Sequence, residues 1–437
     1  MSSTSAVFKV TPTTQEYDWG RVGGTSKVAQ FAAASAIPGF AIDDARPYAE
    51  LWMGTHPKSP SRVASTNKIL LEHLAANPSL IGQKVIDHFG AADGNLPFLF
   101  KVLSIAKALS IQTHPDKKTA EQLHLQQPDI YKDPNHKPEM ALALTPFLAL
   151  CGFRPLPEIA HHLRATAELA ALIPPPILDQ FLSLPATNAS QSVTTSPGSD
   201  PMGPEAKKAL RDIFSAIMTT EENVFKAQLS NLVKRYENEV GKDTGAISRD
   251  IVELVLRLNT QFPGDIGVFC AFMLNFVKLQ PGEAIFLGAG EPHAYIKGDC
   301  MECMANSDNV IRAGLTPKLR DVPNLISGLT YAAAPPTKHV VQPVTDEAST
   351  LYDPPIPEFS VVQVKLGARR KEAHPAIEGP SVMIVTTGGG NILWGDGESL
   401  ALRLGDVVFV GASMPVEFVA SDDGNELVAY RAFVEVQ

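Results

Sequence analysis

The segment GEAIFLGAGEPHAY (282–295) aligns without a gap on GDVVFVGASMPVEF (405–418), and no other feature limits the possible fold as much. Gly282/Gly405, Phe286/Phe409, Gly288/Gly411, Ala289/Ala412 and Pro292/Pro415 are identical. Each copy reads as an apolar run, a turn and a second run, which is a strand–turn–strand unit. Two such units in one chain point to two similar β-barrels in tandem. One position differs in chemistry. His293 in the first copy stands where Val416 stands in the second, so the first keeps a potential ligand that the second has lost.

The rest of the chain divides around this repeat. Up to about Cys151, short β-like runs alternate with turn signals. LPFLFKVLSI and ALSIQTHP are the clearest, and HKPEMALAL follows a turn at Asp133–Asn135. PLPEIAHHLRATAELAALI then reads as one helix. The polar stretch ATNASQSVTTSPGSDPMGPE reads as a mobile loop, and three amphipathic helices follow, EAKKALRDIFSAIMTT, EENVFKAQLSNLVKRYENEV and SRDIVELVLRLNTQF. After Pro263 the pattern returns to strands. The expected architecture is mainly β with an α-helical insert. Residues 1–154 and 263–335 are expected to form a discontinuous β-barrel domain, 155–262 the insert, and 336–437 a second, similar barrel without a metal site.

With 437 residues, 44% hydrophobic and 19% charged, the chain can form two or three globular domains. A formal net charge of −10 argues against nucleic acid or an anionic membrane as partner. No apolar run approaches the roughly 20 residues needed to cross a bilayer. The start MSSTSAVFKV lacks the features of a secretion signal, and four cysteines in so long a chain make no disulfide framework. A reduced, cytoplasmic monomer is expected. Cys300 and Cys303 form a CMEC, but the second CxxC of a zinc ribbon is absent.

In an extended segment Ser110, Gln112 and His114 project to one face, and Ile111 and Thr113 to the other. Gly282-x5-Gly288-x-Gly290-x2-His293 resembles the second motif of the cupin superfamily of small jelly-roll barrels, which implies that both expected barrels are cupin-like, and Gln112-x-His114 stands where the first motif carries two ligands. Glu139 supplies a carboxylate further downstream than is usual there. Two imidazoles, a carboxylate and an amide oxygen suit Zn2+. Taken singly, a Q-x-H is most often polar surface and Glu139 a solvated strand residue.

YAELWMGTHPKSPS (48–61), LPFLFKVLSIAKALSIQTHPDK (96–117), NHKPEMALAL (135–144) and GEPHAYIKGDCMECMANSDNVIRAGLTPK (290–318) together resemble the type I phosphomannose isomerases of the cupin superfamily. The resemblance implies interconversion of mannose 6-phosphate and fructose 6-phosphate through a cis-enediol, with one Zn2+ per chain. It implies a place in the supply of mannose phosphate for GDP-mannose, glycan and cell-wall synthesis. It implies zinc ligands at Gln112, His114, Glu139 and His293, with Arg312 in the active site. Glu50, Lys101, Ser110, Lys137, Tyr295, Glu302, Asp308 and Lys318 would line the pocket.

Arg312, always protonated, suits stabilisation of an enediolate and not proton transfer. Glu302, Asp308, Lys137 and a zinc-bound water remain as proton carriers, Glu302 first because burial can tune a carboxylate. Ser110, Lys101 and Lys137 are candidates for the phosphate, and Lys118 and Lys297 read as surface. No P-loop is present. His56 and His136 are candidates to orient ligands, His124, His161 and His162 read as surface, and Trp19 and Trp52 as packing. An Fe2+-dependent cupin oxygenase is the second reading, opposed by Gln112 in a ligand position. A non-catalytic sugar-binding or storage cupin is the third, opposed by Arg312 and the charged cluster from Glu302 to Lys318.

Overall fold

A computed structural model describes residues 5–35, 37–185, 202–239 and 246–436. The two repeat copies fold alike. The first gives the strands Ala284–Leu287 and His293–Ala305, the second Val407–Val410 and Val416–Ala420. Their turns share a left-handed backbone at matching positions, φ +91° and +84° at Gly282 and Gly405, then +72° and +60° at Gly290 and Ser413. In the second copy the turn carries the chain from an eight-stranded sheet into a facing four-stranded one. In the first copy, residues 293–297 pair with Phe147–Phe153, and residues 298–305 with Phe98–Ile105. Gly298 sits at the change of partner with φ +124°, and a Cβ there would lie 2.7 Å from the Pro146 carbonyl oxygen. Only glycine fits that bend.

The fold is mainly β with a helical insertion, cupin-like in its facing sheets. The sheets are open, however, and do not close into barrels. The eight-stranded sheet also takes in two strands from the start of the chain. Val7–Thr11 pairs with Val407–Val410, and Arg62–Val63 pairs with Val7–Thr11. The hydrogen bonding therefore runs across the 1–154 boundary expected from the sequence. The central strand Val407–Val410 is buried on both faces. Val408 and Val410 fill the sandwich between the eight- and four-stranded sheets, while Val407 and Phe409 pack toward Leu51, Met53 and Phe98 of the first β-unit. Period-2 alternation puts successive side chains into different cores.

The three long helices form as expected, at Pro204–Met218, Glu222–Glu239 and Arg249–Gln261. Phe225, Leu229, Leu232 and Tyr236 make one buried stripe at helical spacing. Ile111, Leu150, Phe153, Ala294 and Ile296 share a core with these helices, so the insert packs on the outer face of the sheet whose inner face carries Gln112 and His293.

Three expectations change. The helix expected over PLPEIAHHLRATAELAALI is broken at Thr166, which leaves helical geometry and whose carbonyl starts the second piece by accepting from Leu169 and Ala170. The first 151 residues hold helices as well as strands, among them Lys27–Ala34, capped by the Ser26 hydroxyl. A helix, Val322–Gly328, also interrupts the strands after Pro263. Most of the expected polar loop, residues 186–201, lies outside the described residues. No described helix is long and apolar enough to cross a membrane.

Candidate active site

Strand register builds the site. Gln112 on Ile111–Thr113 stands opposite His293 on one side and opposite Arg312 of Ile311–Gly314 on the other. The three side chains thus form a row across three strands. Glu139 opens the strand Glu139–Ala143, placed by its register with Leu287 and Met304. His114 follows just beyond its own strand and turns inward with them.

His114, Glu139 and His293 converge, each essentially without solvent exposure. His114 Nε2 lies 3.4 Å from one Glu139 oxygen, and His293 Nε2 lies 3.4 Å from the other. Each ring is held through its other nitrogen, 2.6 Å from the Asn309 carbonyl for His114 and 2.9 Å from the Glu291 carbonyl for His293. A carbonyl only accepts, so Nδ1 carries a proton in each ring, and in the neutral ring Nε2 is the nitrogen that presents a lone pair to the centre. Both Nε2 atoms and Glu139 Oε2 are buried without a hydrogen-bond partner.

Burial would raise the Glu139 carboxyl, but Lys137 and His114 hold it well below the usual carboxylate range. Burial pushes the His114 imidazole down to about 4. A neutral imidazole at His114 and an ionised carboxylate at Glu139 are protonation states that a metal requires. Donors about 2.0–2.1 Å from a tetrahedral ion lie roughly 3.3 Å apart; each imidazole-to-carboxylate distance is close to that, and the three donors all lie within 4.8 Å of one another.

Beside this triad opens a cavity of about 420 Å³. Gln112, Ser110, Glu50, Lys101, Lys137, Asp308, Arg312 and Lys318 all line it. Lys101 is its buried centre of charge, 3.0 Å from Glu302, 3.5 Å from Glu50 and 5.1 Å from the Trp52 ring centroid. Burial opposes its charge, but Glu302 and Glu50 outweigh burial and raise the ammonium above its ordinary value. Lys137 lies 3.0 Å from Glu139, and Lys58 2.8 Å from Asp308. Lys107 pairs with Asp18 at 3.7 Å and sits over the Phe262 ring. Among the described residues, Arg312 and Lys318 are the cavity's two cations without a carboxylate partner.

Two candidates stand apart from the cavity wall. Glu302 is behind Lys101 and does not line the cavity; burial raises its carboxyl above the ordinary range. Tyr295 is 2% exposed, and burial together with the carboxylates of Glu302 and Glu139 raises its phenol. His136 does not reach the metal triad: it bonds Glu358 at a second cavity. His162 is buried rather than on the surface and bonds the Phe272 carbonyl. Cys300 and Cys303 are separated into different cores, because residues three apart on a strand face opposite ways.

Sequence reasoning missed Lys58, Lys107, Tyr17, Thr316 and Phe262, and took Trp19 and Trp52 as packing although both line the cavity. Phe262 ends the helical insert. Its only signal was the amphipathic period running out beside a proline.

Comparison with known proteins agrees in three regions. Residues 7–156 match the catalytic domain of phosphomannose isomerase type I, 185–274 its helical insertion domain and 349–396 its C-terminal part. The mannose-6-phosphate isomerase of Cryptococcus neoformans var. neoformans serotype D is 49% identical over 438 residues, covering 98% of this chain and 99% of the relative. That of Saccharomyces cerevisiae is 44% identical, with 98% and 99% covered. A solved mannose 6-phosphate isomerase in its holo, zinc-bound form superposes with a TM-score of 0.77 at 30% identity, covering 99% of this chain and all of the other. The apo form from Salmonella typhimurium gives the same values. The chain is an isomerase and belongs to the type I phosphomannose isomerase family.

Proposed function

We propose that the chain interconverts mannose 6-phosphate and fructose 6-phosphate through a cis-enediol, with one zinc ion per chain held by Gln112, His114, Glu139 and His293. The observation that carries this reading is the trio of buried, unpartnered donor atoms on His114, Glu139 and His293, beside a cavity with two unpaired cations. Zinc, when bound, supplies a Lewis acid that polarises the oxygens of the reacting carbons.

The reaction moves one proton from C2 to C1 and one between O2 and O1, with no atom gained or lost. Arg312 meets the charge that develops on the enediolate oxygen. Lys318 and Ser110 receive the phosphate, and Lys101 and Glu50, which line the same cavity, hold substrate hydroxyls. Lys137 keeps Glu139 ionised. For proton transfer, Asp308 and Lys137 face the cavity. Glu302 reaches it through Lys101, and Tyr295 closes the floor behind that pair. The domain division is proposed as 1–154 with 263–335, the insert 155–262 and the C-terminal two-sheet unit 336–437, with the N-terminal strand crossing over. The protein would act as a cytoplasmic monomer supplying mannose phosphate for GDP-mannose and glycan synthesis.

The test joins metal analysis with a coupled assay of fructose 6-phosphate formation from mannose 6-phosphate. Zinc near one per chain, activity lost on chelation and regained with zinc, is the expected result. Iron in place of zinc, or full turnover after chelation, overturns the proposal.

A further inference from the structure

The turn Gly288–His293 is tied to its surroundings on both sides. The Gly290 amide donates to the His114 carbonyl at 2.9 Å, the Thr330 amide to the Gly290 carbonyl at 3.1 Å, and the Gly152 amide to the Pro292 carbonyl at 2.8 Å. Glu291 stands at its centre and is only 7% exposed. Its carbonyl fixes the His293 ring. Its carboxylate accepts from Lys338 at 2.6 Å and from the Thr330 hydroxyl at 3.2 Å through Oε1, while Oε2 lies 4.0 Å from His339 Nε2.

The second repeat copy is an internal control. There the turn keeps its left-handed residue, Ser413, yet Met414 occupies the place of Glu291 and Val416 that of His293. The turn folds without the carboxylate, and the carboxylate is absent where the imidazole is absent.

We propose that Glu291, braced by Lys338, is a positioning residue that aims His293 at the metal; the inference rests on the zinc reading above. Anchoring the side chain fixes the residue whose carbonyl sets the tautomer and angle of the ligand ring. A direct hydrogen-bond partner of a metal-bound histidine typically changes metal affinity 10–100-fold, and a brace acting through that partner should fall at the lower end of this range.

The test is zinc affinity of the full-length chain by competition with a chromogenic chelator, together with melting temperatures with and without zinc. Glu291→Gln should weaken zinc about 10-fold, with the zinc-free melting temperature nearly unchanged; Lys338→Met, which also leaves the buried Glu291 carboxylate without its cation, should weaken zinc and lower the zinc-free melting temperature as well, and Lys338→Arg should restore most of the affinity. Wild-type zinc affinity in both weakened variants overturns the inference while leaving the zinc site standing. So does a fall in the zinc-free melting temperature of Glu291→Gln as large as its fall with zinc, because that marks a brace for the fold alone. A wild-type chain that binds no zinc overturns the functional reading and this inference with it.

Discussion

Replacing Arg312 with alanine should cost two to three orders of magnitude in kcat/KM while sparing the fold and the metal. The guanidinium projects into the cavity from the row His293–Gln112–Arg312 and has no carboxylate partner among the described residues. Burial alone lowers its pKa, which still leaves it charged. A unit charge about 4 Å from a developing oxyanion interacts by about 4 kcal/mol at an effective dielectric near 20. Removal of one such stabilising donor typically costs about 2.7–4 kcal/mol, which at roughly 1.36 kcal/mol per decade is about 10²–10³ in rate. No ion pair is broken, so the melting temperature should hardly move. Lys101→Met differs in kind: it leaves Glu50 and Glu302 buried without their cation, a loss of about 3–5 kcal/mol. The assay is the coupled measurement of fructose 6-phosphate, run beside zinc analysis and thermal melting. Unchanged kcat/KM in Arg312→Ala, or loss of its zinc, would refute the reasoning.

Val416→Ala should cost about 2 kcal/mol, from the two methyl groups removed in a packed core, and leave zinc content unchanged, since Val416 is buried in the second sandwich; denaturant melts and metal analysis check both. Asp265→Asn should raise KM several-fold more than it lowers kcat. That carboxylate accepts the amides of Gly267, Leu315 and Thr316, and pins a loop, strained at Leu315 with φ +53°, that leads to Lys318; equal KM in the variant would exclude this role. Stability should also fall in acid through His374. Burial and the neighbouring Arg431 push that imidazole down from 6.5 to about 4, although Glu372 lies 3.7 Å away. Its folded pKa is depressed, so its contribution is intact above pH 6.5 and is lost as the pH falls toward 4, by roughly 3 kcal/mol in all. His374→Phe should flatten that part of the stability–pH curve, and an unchanged slope would exclude the assignment.

The readable parts of the sequence were those governed by local period. The repeat showed itself because turn glycines and a proline recur at fixed offsets, and the helical insert because residues such as Phe225, Leu229, Leu232 and Tyr236 keep one stripe. Period two placed Ser110 and Gln112 on one face, and both line the cavity. Pairings distant in sequence were not readable from the residues. Val7–Thr11 joins Val407–Val410 through register alone, and no local pattern says so. The position of Arg312 opposite Gln112 is likewise a matter of register. The helix Lys27–Ala34 left a signal that went unused, a serine cap ahead of Val28, Ala29, Phe31 and Ala32 on one face. Glu302 was placed with the pocket by motif, but strand pairing opposite Lys101 sets it one side chain behind the wall.

Charge pairing reconciles an acidic chain with an anionic substrate. The net charge of −10 would repel a sugar phosphate from most of the surface. Within the cavity, Lys58, Lys101, Lys107 and Lys137 are each matched by a carboxylate and contribute little net field. Arg312 and Lys318 are not matched, so the attraction is confined to their side of the cavity. At the floor, Glu50, Glu139 and Glu302 face only Lys101 and Lys137, which leaves one negative charge in excess. Buried charge of that kind is costly unless a cation completes it. A divalent ion among His114, Glu139 and His293 would reverse the sign of the floor. Metal loading would then balance the buried carboxylates and add to the attraction that Arg312 and Lys318 exert on an anion. Substrate affinity and thermal stability should therefore rise together as zinc is titrated into the metal-free chain. A chain whose stability rose while substrate binding stayed unchanged would separate the two, and would place the attraction in Arg312 and Lys318 alone.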